Sequence, residues 1–192
     1  MQAITARDRA AGAAGLTLSD IPRPHAAEND VIVRVYAAGF TPGELNWPGT
    51  WTDRAGRDRT PSVPGHELSG VVAELGYGTT GLTVGQRVFG LADWTRDGSL
   101  AEYTAVEARN LAPLPADIDY TLAAAVPISG LTAWQGLSAG RGVSRRHPAQ
   151  QAGPGARCGS FRGAVRVVIV RAPGHVKPAE GRAYRQAGEP RS

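Results

Sequence analysis

Short apolar segments alternate with glycine-rich or polar turns through the first two thirds of the chain. β-Branched and aromatic residues are frequent in these segments, which is typical of strands. The pattern predicts strands at residues 31–36, 68–75, 87–91, 100–104 and 110–114. Short strands at such close spacing predict a mainly β protein, a small barrel or sandwich with a few helices.

Three other segments carry helix signals. Thr41 precedes Pro42 and stands three residues before Glu44, which is the order of an N-cap, a first-turn proline and a capping glutamate. Two Ala- and Leu-rich segments, residues 121–126 and 128–137, predict helices that meet at Pro127. The chain therefore changes from strands to helices near residue 120.

The segment Gly76–Gly81 matches the GxGxxG pattern of dinucleotide-binding proteins and follows a predicted strand. Such a site requires a helix directly after the glycines, because the N-terminus of that helix holds the pyrophosphate. Residues 82–86 contain β-branched residues and another glycine, and the next predicted strand follows them. We therefore interpret Gly76–Gly81 as a turn between two strands.

Composition and charge change sharply near residue 137. Residues 1–137 contain 13 Leu and carry a net charge of −5, whereas residues 138–192 contain no Leu and carry +9. The second segment consists largely of Arg, Gly, Ala and Pro, which bury too little apolar surface to offset the entropy of folding. We expect a disordered tail with one strand candidate, at residues 165–170.

Two interpretations of this tail are open. Arginine-rich segments bind nucleic acids or anionic surfaces, but here only Arg145 and Arg146 are adjacent, and Phe161 and Tyr184 stand alone. Because no aromatic residues are interleaved to stack on bases, we expect no nucleic-acid partner. The large excess of Arg over Lys indicates GC-rich coding DNA, and we favour a frameshifted or spliced tail.

Several protein classes are excluded by simple features. The chain has no run of 18 apolar residues that predicts a membrane span, so we expect no membrane partner. Arg7, Asp8 and Arg9 stand where a signal peptide needs its apolar segment. A single cysteine, Cys158, excludes an internal disulfide and a multi-cysteine zinc site. We expect a cytoplasmic protein.

Three segments occur in a recognisable order: residues 63–72 (VPGHELSGVV), 81–88 (GLTVGQRV) and 123–135 (AAAVPISGLTAWQ). Together they resemble the medium-chain dehydrogenase/reductase superfamily, and most of all its zinc-independent, NADPH-dependent quinone-oxidoreductase-like branch. The resemblance implies a GroES-like, partly open β-barrel at residues 1–120 and connecting helices at residues 121–137. Residues 138–192 are unlike the family.

The resemblance also bears on metal binding. Zinc alcohol dehydrogenases of the superfamily hold catalytic zinc with Cys, His and Cys, and these positions match Thr41, His66 and Ile128 here. A catalytic zinc site needs three protein ligands, so we expect no metal. We expect His66 to form a local hydrogen bond, with Glu67 as its partner or as a charge at a helix end.

The resemblance implies an NADP(H)-dependent oxidoreductase that transfers hydride to a quinone or an activated enone without zinc. It implies that NADPH is the cofactor and that Thr41 and Thr132 lie beside the nicotinamide, where hydroxyl groups form hydrogen bonds. Trp47, Trp51 and Trp94 are candidates for an aromatic substrate pocket. Each residue also has a structural interpretation: Thr41 as a helix cap, Thr132 as an ordinary helix residue and the tryptophans as core or loop anchors.

The likeness ends near Gly136–Leu137, where family members continue into a Rossmann domain. Without that domain the adenosine and phosphates of the cofactor have no binding site, so we expect a truncated or frameshifted chain that is weakly active or inactive. Leu131, Trp134 and Leu137 then lack a packing partner, which favours self-association through exposed helices. The alternative function is a non-catalytic GroES-like binding module, or an interaction protein with a basic tail.

Overall fold

Residues 1–139, the part of the chain that the computed structural model describes, form short strands and a few helices. The strands are β1 (Gln2–Ala6), β2 (Leu16–Asp20), β3 (Asp30–Gly39), β4 (Glu67–Leu75), β5 (Arg87–Leu91), β6 (Tyr103–Glu107) and β7 (Leu111–Pro113). The α-helices are α1 (Pro48–Trp51), α2 (Tyr120–Ala124) and α3 (Pro127–Ala139), and 3-10 helices occur at Gly12–Gly15, Pro42–Asn46 and Ala108–Asn110. The tail predictions, with the strand candidate at residues 165–170, lie outside the described residues.

Five antiparallel strands form the main sheet in the order β6-β3-β4-β5-β7, and β1 and β2 form a separate hairpin. Isolated bridges connect the hairpin to the rest of the fold. Ala3 pairs with Ala101, Ala6 pairs with Ser62, and the Ile4 N–H donates to the Leu100 carbonyl at 2.8 Å. The mainly β architecture with open sheets is therefore confirmed.

Two hydrophobic cores lie along the long central strand β3. Val31 and Val33 pack with Leu68, Val72 and Val88 in one core. The second core lies further along β3, where the pairing of β3 with β4 shifts register. From this end of β3 the chain continues into the segment that contains Thr41 and Trp47. Its buried members are Ala3, Ala6, Val35, Ala38, Phe40, Leu45, Trp51, Val63, Leu100 and Ala101. Two members of this core, Leu45 and Trp51, lie on either side of Trp47 in the sequence.

Most predicted elements are confirmed, with displaced ends. Residues 31–36 and 68–75 fall in β3 and β4, residues 87–91 form β5, and the strand predicted at 110–114 is β7. The strand predicted at 100–104 is displaced, because Leu100 and Ala101 bond to β1 and the strand that pairs with β3 is Tyr103–Glu107. The predicted helices correspond to α2 and α3, and the helix start at Thr41 opens a 3-10 helix.

The glycine-rich segment Gly76–Gly81 is a turn, as predicted, and β5 follows it. Gly78 and Gly81 adopt φ angles of 81° and 79°, which favour glycine. A Cβ on Gly76 would lie 1.8 Å from the Ala27 carbonyl oxygen, so this glycine serves backbone packing. Among residues 1–139, no helix is long and apolar enough to cross a membrane.

Candidate functional site

Three segments that are distant in sequence meet at the candidate site. The 3-10 helix Pro42–Asn46 leads into α1 and contributes Glu44 and Trp47. The segment before β4 ends on His66, and the loop after β5 contributes Trp94. Pro48 at the start of α1 ends the 3-10 helix and turns the chain at this point, so Trp47 faces His66 and Trp94.

Aromatic rings form the wall of a cavity at this position. The Trp47 ring stacks on the His66 ring with centroids 5.6 Å apart and planes 11° apart. Trp94, which is 62% exposed, meets Trp47 edge-on at 6.0 Å. The cavity beside these rings has a volume of about 470 Å³. It is lined by Trp47, Pro48, Gly49, Thr52, Asp53, Trp94 and Thr95. Such a lining suits a planar apolar group.

Two larger cavities, of about 640 and 680 Å³, lie elsewhere in the fold. Arg96 borders both of them, and neither is lined by Trp47 or Trp94. The smaller aromatic cavity is the stronger candidate for a planar apolar ligand, because two indole rings line it and one of them stacks on the buried His66.

His66 and Glu44 form a buried polar pair beneath Trp47. Their exposures are 2% and 0%, and His66 Nε2 lies 3.6 Å from Glu44 Oε2. Glu44 Oε1 accepts a hydrogen bond from the Thr41 N–H at 2.9 Å. Glu44 Oε2 and both His66 ring nitrogens have no hydrogen-bond partner. Unpartnered buried polar atoms are costly, so this pair is retained at the expense of stability.

Burial sets the protonation of this pair. Desolvation raises the pKa of Glu44 to about 7, against the opposing effect of the Thr41 N–H. Desolvation and the positive charge of Arg59 lower the pKa of His66 to about 4. At neutral pH His66 is therefore neutral, and Glu44 is close to half protonated. The contact is thus a neutral imidazole beside a carboxyl group rather than an ion pair.

Glu67, the neighbour of His66, serves a different element. Its Oε1 accepts the Ile128 N–H at 2.8 Å in the first turn of α3, and burial raises the pKa of this carboxyl against that hydrogen bond. Of the two roles predicted for Glu67, the structure shows the one at a helix end. The prediction of a local hydrogen bond for His66 is wrong, because neither ring nitrogen has a partner. The acid beside His66 is Glu44. The sequence pattern at Thr41–Glu44 predicted that Glu44 caps a helix, but it did not predict the contact of Glu44 with His66.

The remaining candidate residues occupy different environments. Thr41 is half-buried and begins the 3-10 helix that holds Glu44, whereas Thr132 is exposed on α3. Trp51 lies in the second core, where its indole N–H donates to the Leu45 carbonyl at 2.8 Å. The structure therefore brings Trp47 and Trp94 together at the cavity and places Trp51 behind it.

The part of the chain between residues 1 and 139 contains no cluster of three or more His, Cys, Asp or Glu that could hold a metal ion. Thr41 offers its backbone N–H to Glu44, and Ile128 offers its backbone N–H to Glu67. Of the three matched positions, only His66 carries a side chain of a type that commonly ligates zinc.

Comparison with known proteins gives consistent matches to the described part of the chain. The family described as "Alcohol dehydrogenase GroES-like domain" matches residues 27–116. The 2-methylene-furan-3-one reductase of Solanum lycopersicum is 33% identical over 130 residues, covering 62% of this chain and 32% of that protein. The chloroplastic NADPH-dependent alkenal/one oxidoreductase of Arabidopsis thaliana is 34% identical over 65% of this chain and 35% of its own length.

A solved structure agrees with these matches. The quinone oxidoreductase from Coxiella burnetii superposes with a TM-score of 0.62 and 26% identity. The match covers 72% of this chain and 44% of that protein. The chain therefore spans about a third of the length of the two curated relatives and less than half of this structural neighbour. The family match at residues 27–116 includes β3 to β7, the Glu44–His66 pair, Trp47 and Trp94.

Proposed function

We propose that the chain provides the substrate-binding part of an NADP(H)-dependent oxidoreductase, because residues 27–116 match the family described as "Alcohol dehydrogenase GroES-like domain". Its homologues are oxidoreductases of the medium-chain dehydrogenase/reductase superfamily. The proposed reaction is zinc-independent hydride transfer to a quinone or an activated enone. In the proposed division, residues 1–120 form the GroES-like domain and residues 121–137 the connecting helices.

The observation that carries this proposal is the Trp47–Trp94 cavity beside His66. A planar conjugated carbonyl compound fits between aromatic walls, and indole rings exclude water from it. When bound, NADPH supplies the hydride. Thr41 and Thr132 are the proposed hydrogen-bonding residues on the nicotinamide side.

The proposal for the cofactor's phosphate end starts from the glycine-rich segment. Residues 1–139 contain one GxGxxG segment, and it leads into β5 rather than into a helix. Gly76 packs against Ala27 and Gly78 against Asn29. This arrangement lacks the helix N-terminus that holds a pyrophosphate. We therefore propose that the chain by itself is weakly active or inactive, although it retains a substrate cavity.

The experiment is a fluorescence titration of the full chain with 1,4-naphthoquinone, which quenches tryptophan emission on contact. Saturable quenching is expected in the wild type, and Trp94→Leu should weaken binding at least about tenfold because one aromatic wall is lost. Trp51→Phe is the matched control, since this ring lies in the core behind the cavity. Equal weakening by both variants, or no saturable quenching in the wild type, would contradict the proposed substrate site.

A parallel titration with NADPH tests the second part of the proposal. We expect no saturable change in the emission of NADPH and no oxidation of NADPH in the presence of naphthoquinone. Micromolar binding would contradict the proposed lack of a cofactor site, and turnover above that of a buffer control would contradict the proposed lack of activity.

The alternative function is a non-catalytic GroES-like binding module. The exposed side chains of Leu131, Trp134 and Leu137 on α3 favour it, because they form an apolar surface on a helix with no partner in the described part of the chain. This alternative predicts that naphthoquinone does not bind and that Trp134→Glu abolishes association with a partner protein.

A further inference from the structure

The two walls of the aromatic cavity come from loops that are distant in sequence. Trp47 precedes α1, and Trp94 belongs to the loop after β5. Gly49 brings these loops into contact, because a Cβ at this position would lie 2.6 Å from the Trp94 carbonyl oxygen. The cavity therefore depends on whatever holds Gly49 and Trp94 together.

Arg59 makes that connection. Its guanidinium donates to the Gly49 carbonyl, to the Trp94 carbonyl at 3.5 Å and to Asp97 Oδ1 at 3.2 Å. Its side chain is only 11% exposed. The Arg59 backbone N–H donates to the Trp51 carbonyl at 3.0 Å, which fixes the start of the side chain. One planar group thus binds both walls, and a guanidinium has the fixed fork of donors for this task.

Two other arginines in the same loop have different roles. The Arg57 side chain is 80% exposed and pairs with Asp53 on the surface. The exposed Arg54 binds Asp93 and Thr95 through their side chains. Exposed pairs of this kind contribute little free energy. Arg59 differs because its side chain is largely shielded from solvent and donates to the backbone carbonyls of Gly49 and Trp94.

We propose that Arg59 is a positioning residue that sets the spacing between Trp47 and Trp94 and thereby the shape of the substrate cavity. This inference rests on the proposed function for its consequence on binding, whereas the spacing itself is independent of any ligand. Because the guanidinium is the shared partner of both loops, its removal leaves two carbonyl groups unpaired and lets the walls separate.

The first test uses the ligand-free full chain and the circular dichroism couplet that two neighbouring indoles produce. Trp94→Phe defines the signal of the Trp47–Trp94 pair. We expect Arg59→Gln to lose most of that signal and Arg57→Gln, the matched control, to retain it. Arg59→Lys should also lose most of it, because an ammonium group keeps the charge but lacks the planar fork.

The lysine variant keeps the inference falsifiable if the glutamine variant does not fold. A full couplet in folded Arg59→Lys or Arg59→Gln overturns the inference, and so does equal loss in Arg57→Gln. Naphthoquinone affinity is the second measurement, with an expected weakening of about tenfold in Arg59→Lys. If the wild type does not bind naphthoquinone but the couplet depends on Arg59, the spacing role stands and the proposed function fails.

Discussion

At the scale of single residues, Glu44 and His66 respond to pH in opposite directions. The folded state holds a proton on Glu44 up to about pH 7, whereas the ordinary pKa is 4.5. Its stabilising contribution is therefore present below pH 4.5 and lost as pH rises to 7. The pKa of His66 is about 4 in the folded state instead of the ordinary 6.5. Stability therefore falls as pH decreases from 6.5 to 4, because the unfolded chain takes up a proton on this histidine and the folded chain does not. The two effects oppose each other between pH 4.5 and 6.5.

Single substitutions should separate these effects. Relative to the wild type, Glu44→Gln should gain stability as pH rises from 4.5 to 7, by about 3 kcal/mol in total. His66→Gln should lose a similar amount relative to the wild type between pH 4 and 6.5, because the wild type gains stability over this range as the unfolded-state histidine loses its proton and the variant does not. Urea unfolding across this range measures both differences. The double variant is the control, and its pH dependence between 4.5 and 6.5 should match that of the wild type. Parallel curves for all four proteins would contradict the assigned pKa shifts.

The buried pair also shows what sequence reasoning could reach at this scale. The capping pattern correctly identified the helix start at Thr41, and the metal-ligand comparison drew attention to His66. Neither pattern contains the contact between Glu44 and His66, because it forms only when β4 is placed against the 3-10 helix. The sequence also did not separate Trp51 from Trp47. Trp51 follows Trp47 by about one helical turn and lies in the second core instead of the cavity.

At the scale of elements, a partly buried ion pair connects the start of β3 to the loop after β5. Arg96 donates to both carboxylate oxygens of Asp30, at 3.0 and 2.6 Å. Asp30 is buried at the point where β3 begins, whereas Arg96 is half-buried. No apolar pattern in the sequence indicates this pair, because its members are 66 residues apart. The strand pattern accordingly predicted β3 but not what anchors its first residue.

Removal of the arginine should be costly for this reason. Arg96→Ala leaves the Asp30 carboxylate buried without a counter-charge, and we expect a loss of about 3 kcal/mol in unfolding free energy. Arg109→Ala is the matched control, since it removes an exposed partner of Glu107 and should cost less than about 0.5 kcal/mol. Asp30→Asn combined with Arg96→Ala should recover part of the loss. Chemical denaturation measures all three, and equal stability of Arg96→Ala and wild type would disprove this role.

Strand positions were predictable for β3 and β4, which have a strand on each side in the main sheet, and less so for strands elsewhere. β3 and β4 are rich in valine and were found from composition alone. In β1, by contrast, the buried side chains are the small Ala3, Thr5 and Ala6, which produce no strong apolar pattern. The predicted position of β6 was too early in the chain, because the hydrogen-bonding partner of a segment decides where the strand begins. The order of strands in the sheet likewise depends on contacts that are remote in sequence.

At the scale of the whole molecule, the described fold ends on a helix with an exposed apolar surface. Leu131, Trp134 and Leu137 lie at i, i+3 and i+6 of α3, and Trp134 is 68% exposed. Side chains at this spacing lie near one another on a helix surface. Apolar patches of this kind are rare on monomers and favour association.

We therefore expect the chain to self-associate through this helix, with the same surface meeting in both copies. Sedimentation velocity over a range of concentrations should show a shift from monomer to dimer. Trp134→Glu should weaken association at least about tenfold, because it puts a charge into the apolar contact while keeping a good helix-forming residue. Tyr77→Glu is the control, since Tyr77 is even more exposed than Trp134 but lies in the turn between β4 and β5. A wild type that stays monomeric, or equal weakening by both variants, would contradict self-association through α3.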